Sequence, residues 1–433
     1  MASSDVSTAT QSTESASALA DATSPFTPAE TAPSTTDGDT NGSGTAQATA
    51  PVEVKKEPDV DKLFRMVMKY EGSDLHLKVG LPPMMRLRGV IRRMEMRPLT
   101  QDDMERLFFP VMKEHYKKIL ADTGGSDFAH IVGDDECRFR VNLFYQRGKL
   151  SCVARRVSNK IPTFEKLGLA IPDHDKIRKP GEPSVFEKMC MLDQGMILLA
   201  GVTGSGKSTT IAAMLDYINA REPVNIVTIE DPIEYLFTDR KAVIHQREVG
   251  LDVVNWPTAL KHAVRQDPDI ILVGEMRDRD TFEAGINAAE TGHLVFGTIH
   301  ASSGPSTIGR ILDLFPADMH HAIRQALVFN LKAVVCQKLL PCIKPGKQRV
   351  PTLEVMLVNP IIKELLIKEE DKKIADAIRI CSQEGMVEFN DHLRQLVENG
   401  EITRETALEV APNPEALKMA LKGIKVMQAG FVS

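Results

Sequence analysis

Short apolar runs with almost no polar interruption recur at spaced intervals through the middle of the chain. They are Met196-Ile197-Leu198-Leu199-Ala200, Val224 to Ile229, Ile270 to Val273, and Leu294 to Ile299. A run this short, with no polar face, predicts a strand buried on both sides in a parallel sheet. After the first run, Thr209 to Tyr217 reads as a helix. Buried strands with a helix between them predict an α/β class.

The pattern upstream is different. Val60, Leu63, Phe64, Val67 and Met68 fall at helical spacing, with Asp59 as N-cap and Gly72 as stop. Leu75, Leu77 and Val79 then alternate with His76 and Lys78, predicting a half-buried strand. Pro82-Pro83 forces a turn, and Met85-Arg86-Leu87-Arg88 begins another strand. Thr100 with Asp103 resembles a capping box for a helix through about residue 120. Phe139, Val141 and Leu143 alternate with Arg138, Arg140 and Asn142 in a hairpin whose turn is Arg147-Gly148. Together these predict a small α+β domain over residues 59–158. Residues 159–184, with Pro162, Pro172, Pro180 and Pro183, read as a hinge-like linker. The larger α/β domain then spans 185–358 and a helical region 359–433. Past Ala301 helices are predicted over Ser306–Leu314 and Ala317–Leu331, with one further strand over Thr352–Val358. Short amphipathic helices follow, broken at Gly385, Gly400 and Pro412. Pro414 and Glu415 open the last, with Leu417, Ala420 and Leu421 on one face.

Candidate chemistry sits where the apolar runs end. Gly201-Val202-Thr203-Gly204-Ser205-Gly206-Lys207-Ser208 fits G-x-x-x-x-G-K-[ST] and lies between a predicted strand and helix. Glycines there let the backbone wrap a phosphate chain, and successive N–H groups at the helix start point at the anion. Lys207 would reach the β/γ-phosphates, and the Ser208 hydroxyl would ligate Mg²⁺. The second run ends in Glu230-Asp231-Pro232-Ile233-Glu234, at the strand end where such sheets bind ligands. The third ends in Glu275, followed by Met276-Arg277-Asp278. A carboxylate there holds the Mg²⁺ shell or orients water in P-loop sites. His293 precedes the fourth run and His300 closes it; on pattern, His300 reads equally as a structural residue or as a γ-phosphate sensor. In the hairpin, a two-residue Arg147-Gly148 turn sets Arg140 opposite Arg155. Two like charges there are unfavourable unless an anion lies between them. The pattern leaves open two solvated arginines, or a different register.

Composition narrows the classes. The chain has 433 residues, 42% apolar content and a formal charge of −6. The size argues for more than one core, and the charge gives no general affinity for polyanions. No apolar run approaches the ~18 residues of a membrane span, and no stripe of basic and aromatic residues suggests a nucleic-acid partner. The six cysteines, at 137, 152, 190, 336, 342 and 381, form no C-x-x-C pair and read as reduced buried thiols. Residues 1–54 contain no Lys or Arg and are rich in Ser, Thr, Ala, Pro and Gly. That composition predicts a disordered extension, taken here through residue 58.

Four boxes then occur in order: Gly201–Thr210, Thr228–Tyr235, Asp267-Pro268-Asp269 through Asp278, and Glu290-Thr291-Gly292-His293 through His300. They resemble the Walker A, Asp box, Walker B and His box of the type II/IV secretion superfamily ATPases. Gly72-Ser73-Asp74-Leu75-His76-Leu77 resembles the start of the N-terminal domain in the twitching-motility branch. The resemblance spans roughly residues 60–410. It implies a PAS-like N-terminal domain, a RecA-like ATPase domain and a C-terminal helical region. It also implies a cytoplasmic homohexamer that hydrolyses ATP with Mg²⁺ to drive pilus retraction. The partners it implies are an inner-membrane platform protein, pilin indirectly, and the membrane through those partners. By resemblance Glu230 is the general base, Glu275 the Walker B acid near Mg²⁺, Arg140 and Arg155 phosphate contacts, and His293 and His300 the His-box residues. The nucleotide-binding residues are Gly201 to Thr209. Related motors for pilus extension or type II secretion, and a non-hydrolysing accessory subunit, are the alternatives. Absence of paired C-x-x-C zinc motifs favours retraction. Val202 stands where the family commonly has proline, the helix after Asn359-Pro360 lacks the branch's basic residues, and the N-terminal extension is atypical.

Overall fold

The computed structural model describes residues 57–424 apart from 88, 134 and 135, so the extension expected through residue 58 lies outside the described residues except for Glu57, which pairs with Arg65, and Pro58, which caps the first helix. Two sheets organise the rest.

The first sheet is antiparallel and six-stranded. Its strands are β1 (Asp74–Lys78), β2 (Met84–Leu87), β3 (Val90–Arg93), β4 (Gly125–Val132), β5 (Cys137–Gln146) and β6 (Lys149–Arg156). They lie in the order β3-β2-β1-β6-β5-β4. Leu75, Leu77, Phe139, Val141 and Leu143 face one side and are buried. Helix Asp59–Lys69 covers that side, with Phe64 stacked on Phe139 at 4.3 Å between ring centroids. The Thr100/Asp103 capping box forms as read. The long helix expected after it does not: Pro110 splits it into Gln101–Phe108 and Glu114–Thr123, because proline lacks the N–H and clashes with the preceding turn. The first helix also differs at its ends. Pro58 is the N-cap, not Asp59, and the helix stops at Lys69, ahead of Glu71 at φ 54° and Gly72. β4 was not anticipated; Ser126, Asp127 and His130 blur its alternation.

The hairpin follows the sequence closely. Arg147 and Gly148 both have positive φ, 51° and 71°, as a two-residue type I′ turn requires. Gln146 pairs with Lys149, and Arg140 lies opposite Arg155.

The second sheet comprises β7 (Gly195–Ala200), β8 (Asn225–Glu230), β9 (Val243–Glu248), β10 (Ile270–Val273), β11 (Leu294–Ile299), β12 (Leu331–Pro341) and β13 (Arg349–Leu357). Its order is β13-β12-β7-β11-β10-β8-β9. All neighbours are parallel except the edge strand β13. Every residue of β7, β10 and β11 is buried. Each large aliphatic side chain so placed contributes ~1.5–3 kcal/mol. β12 was not foreseen, because it follows helix His320–Asn330 with no turn residue between them. β9, a polar edge strand, lacked any apolar run.

The Pro-rich stretch carries two short helices, Phe164–Leu167 and Pro172–Ile177. Phe164, Leu169 and Ile171 pack with Ile197, Ile211 and Met214, so this stretch is anchored in the second sheet's core. The C-terminal helices also pack: Ile362, Leu366 and Phe389 join one core, and Leu393, Leu396 and Leu417 close over Leu340 and Val350.

A largely buried ion pair links the sheets. Arg138 Nη2 of β5 donates to Glu248 Oε2 of β9 at 2.8 Å. Arg138→Ala would leave that carboxylate with only the Ile233 N–H and no counter-charge, so it should lower stability by about 2 kcal/mol, read as a shifted urea midpoint for the full chain. An unchanged midpoint would mean the pair adds nothing.

Candidate active site

β7 delivers the chain at Ala200 into a tight loop, and helix Lys207–Asn219 leaves it. The loop needs glycine at its ends. Gly201 has φ 151°, and a Cβ there would sit 2.5 Å from the Gln337 carbonyl oxygen and 2.6 Å from Ser205 Oγ. Gly206, the helix N-cap at φ 93°, would place a Cβ 2.7 Å from Gln337 Nε2. The helix thus starts with free N–H groups facing outward from the strand end.

Thr203, Gly204, Gly206, Lys207, Ser208 and Thr209 line a cavity of about 730 Å³. Gly201, Val202 and Ser205 do not line it; they shape the loop behind it. The Lys207 ammonium is buried and donates to the carbonyls of Gly201 (2.8 Å) and Val202 (3.2 Å). Burial lowers its pKa against the opposing pull of Glu275 and Glu234.

Two carboxylates face the same cavity from neighbouring strands. Glu230 ends β8 and is buried. It accepts from Thr228 Oγ1 at 2.8 Å and Gln246 Nε2 at 3.3 Å. Burial outweighs these bonds and pushes its pKa up to about 7. Glu275 follows β10. Burial works on it in the same direction, but Arg277, His300 and Lys207 outweigh it and hold its pKa below the ordinary carboxylate value. Arg277 Nη2 donates to Glu275 Oε2 at 2.6 Å, and His300 Nε2 lies 3.1 Å from Oε1.

His300 at the end of β11 therefore reaches the site, whereas His293 does not. His293 precedes β11 at its other end, a separation of roughly 20 Å from strand rise. Its Nδ1 lies 2.8 Å from the Ala288 carbonyl oxygen and 3.1 Å from Thr291 Oγ1. The two arginines also part company. Arg140 lines the cavity of its own chain. Arg155 sits opposite as the register requires, but its Nε donates to Asp74 Oδ1 at 2.8 Å and it does not line the cavity. The nearby Asp74 carboxylate, on the neighbouring strand, offsets the like-charge pair without an anion.

Several residues at the site were missed. Gln246 sits on a polar edge strand, and Gln337 on a strand that runs on from a helix with no turn residue between them. Thr228 lies two residues before Glu230, on the same face of β8, and period-two spacing would have found it. Arg277 has no role in the sequence reading beyond its place two residues after Glu275.

The cavity also suits a hard cation. Ser208 and Glu275 both line it, and Glu275 is held in its ionised form. Among the described residues no cluster of three or more His, Cys, Asp and Glu side chains could hold a metal. Ser208 and Glu275 are oxygen donors of the kind such a cation takes alongside waters and phosphate oxygens.

Residues 52–429 match the family model for "Type II/IV secretion system protein". The chain is 40% identical to the "Type IV pilus retractation ATPase PilT" of Pseudomonas aeruginosa, over 82% of this chain and 99% of that protein. It is 36% identical to the "Type IV pilus ATPase PilU" of the same organism, over 84% and 91%. The crystal structure of the pilus retraction motor PilT with bound ADP superposes with a TM-score of 0.74 at 38% identity, covering 83% of this chain and 98% of that one.

The raised Glu230 pKa makes a stability prediction. Its ordinary value is 4.5 and its folded value about 7, so the folded chain holds this proton more tightly than the unfolded one. The resulting stability is fully present below pH 4.5 and is lost as pH rises through about 7. Glu230→Gln removes the titration. The variant should match the parent near pH 5 and exceed it by roughly 2–3 kcal/mol at pH 8, measured by chemical denaturation. A pH-independent difference would contradict the buried-carboxyl reading.

Proposed function

The chain belongs to the type II/IV secretion system protein family, and from that premise we propose that it is a hexameric ATPase motor powering type IV pilus retraction. One observation carries the reading of the site. The phosphate loop, Glu230, Glu275, His300 and Arg140 reach a single cavity from separate elements of one chain.

The chemistry follows from their environments. The loop N–H groups and helix start receive the phosphate chain, and Lys207 exchanges its two loop carbonyls for phosphate oxygens. Glu230, with a pKa near neutrality, is matched to accept a proton from the attacking water. The water oxygen bonds the γ-phosphorus as the bond to the ADP oxygen breaks. Ser208 and Glu275 would hold Mg²⁺, which neutralises charge on the phosphates when bound. Arg277 and His300 keep the Glu275 carboxylate oriented and ionised. Arg140 adds positive charge over the transferring group from the first sheet. His293 and Arg155 have structural roles in this reading, as a strand-start contact and the partner of Asp74.

Among the described residues no helix is long and apolar enough to cross a membrane. A cytoplasmic ring acting on an inner-membrane platform protein, with pilin as the indirect load, fits that and the relatives' names.

Lys207→Ala should abolish ATP turnover while the fold is kept, and turnover near the parent's would overturn the site. Arg140→Ala should leave nucleotide affinity within about tenfold, roughly 1.4 kcal/mol, while turnover falls on the order of a thousandfold or more. Arg155→Ala should have the smaller effect on turnover. Cells lacking the chain should carry excess unretracted surface pili. Absent pili would instead identify an extension motor.

A further inference from the structure

β12 runs alongside β7, and its Gln337 points under the phosphate loop. The side chain is 3% exposed and makes two hydrogen bonds that cross from one strand to the other's loop. Its Nε2 donates to the Ser205 carbonyl at 2.8 Å, and its Oε1 accepts from Thr210 Oγ1 at 2.9 Å. These partners flank Gly206, Lys207, Ser208 and Thr209, the residues whose N–H groups open the helix. The packing is close: a Cβ at Gly206 would meet the Gln337 Nε2, and one at Gly201 the Gln337 backbone carbonyl oxygen. The Ser205 side chain adds no anchor of its own. Its buried Oγ has no hydrogen-bond partner among the described residues. The next residue reaches the opposite way: Lys338 Nζ donates to the Val410 carbonyl at 3.0 Å and lies 4.6 Å from the Phe389 ring centroid. β12 is therefore fixed to the C-terminal helices on one side and to the phosphate loop on the other.

We propose that Gln337 is a positioning residue for ATP turnover, clamping Ser205 and Thr210 so that the loop holds its phosphate-binding shape. The inference rests on nucleotide binding at this loop, which Lys207→Ala tests separately. A clamp on the loop acts on the β-phosphate in the ground state and the transition state alike. Its loss therefore raises KM and the dissociation constant more than it lowers kcat.

The test uses the full chain, Mg-ADP affinity by calorimetry and steady-state ATP turnover. Gln337→Met keeps the volume and removes both bonds. It should weaken Mg-ADP binding about tenfold, with kcat within about threefold of the parent. Gln337→Glu supplies the control that simple packing would not move. Ionised, its carboxylate faces the Ser205 carbonyl and repels it. Protonated, it donates to that carbonyl and accepts from Thr210, as glutamine does. Its affinity relative to the parent at the same pH should therefore recover as pH falls from 8.5 to 6, while the Gln337→Met ratio stays flat. Should Gln337→Met fail to fold, the pH-dependent ratio of Gln337→Glu alone decides. Parent-like affinity in Gln337→Met, or a flat ratio for Gln337→Glu, overturns the proposal. A parent chain that binds no Mg-ADP overturns both this inference and the ATPase reading.

Discussion

The site depends on a sheet whose central strands are buried on both faces. Along β7, β10 and β11 the only polar side chain is Thr298, which donates to the Gly274 carbonyl, so charged chemistry is displaced to the strand ends. Parallel pairing puts those ends on the same edge. The phosphate loop, Glu275 and His300 are thereby neighbours, although nearly a hundred residues separate the first from the last. The helix N-terminus at Lys207 then supplies N–H groups that no other part of the fold needs.

On that edge the same force acts on two carboxylates with opposite results. Burial raises both pKa values, yet only Glu230 ends up near neutrality. Glu275 has Arg277, His300 and Lys207 within reach, and their charges win. Glu230 has neutral donors, Thr228, Gln246 and the Glu234 N–H, whose bonds fall short of the desolvation penalty, and the Glu234 carboxylate adds to the rise. Two titratable groups driven apart in this way are suited to different roles, one exchanging a proton and the other holding positive charge.

How much of this could be read from the sequence depended on what each element had to bury. β7, β8, β10 and β11 were legible because double-sided burial leaves an apolar run, and the residue ending each run was the functional one. The hairpin was legible because Arg147-Gly148 supplies the positive φ values that fix its register. β9 and β12 were not, since one is a polar edge and the other emerges from a helix without a turn signal. Gln246 and Gln337 were hidden with them. Register alone also said too much about Arg155. It placed the residue correctly, but Asp74, which takes its guanidinium, lies on a strand far away in sequence. His293 was carried into the site by its motif, and only the length of β11 separates it from the chemistry.

Arg140 lines the same cavity as the phosphate loop of its own chain, an arrangement that needs no neighbouring subunit to bring the two together. Mixing an Arg140→Ala chain with a Lys207→Ala chain in one ring tests this most directly. Every site then lacks one group, and the geometry predicts that no mixing ratio restores ATP turnover. Recovery in mixed rings would mean that the arginine acts on the neighbouring subunit's nucleotide, and would contradict a site closed within one chain.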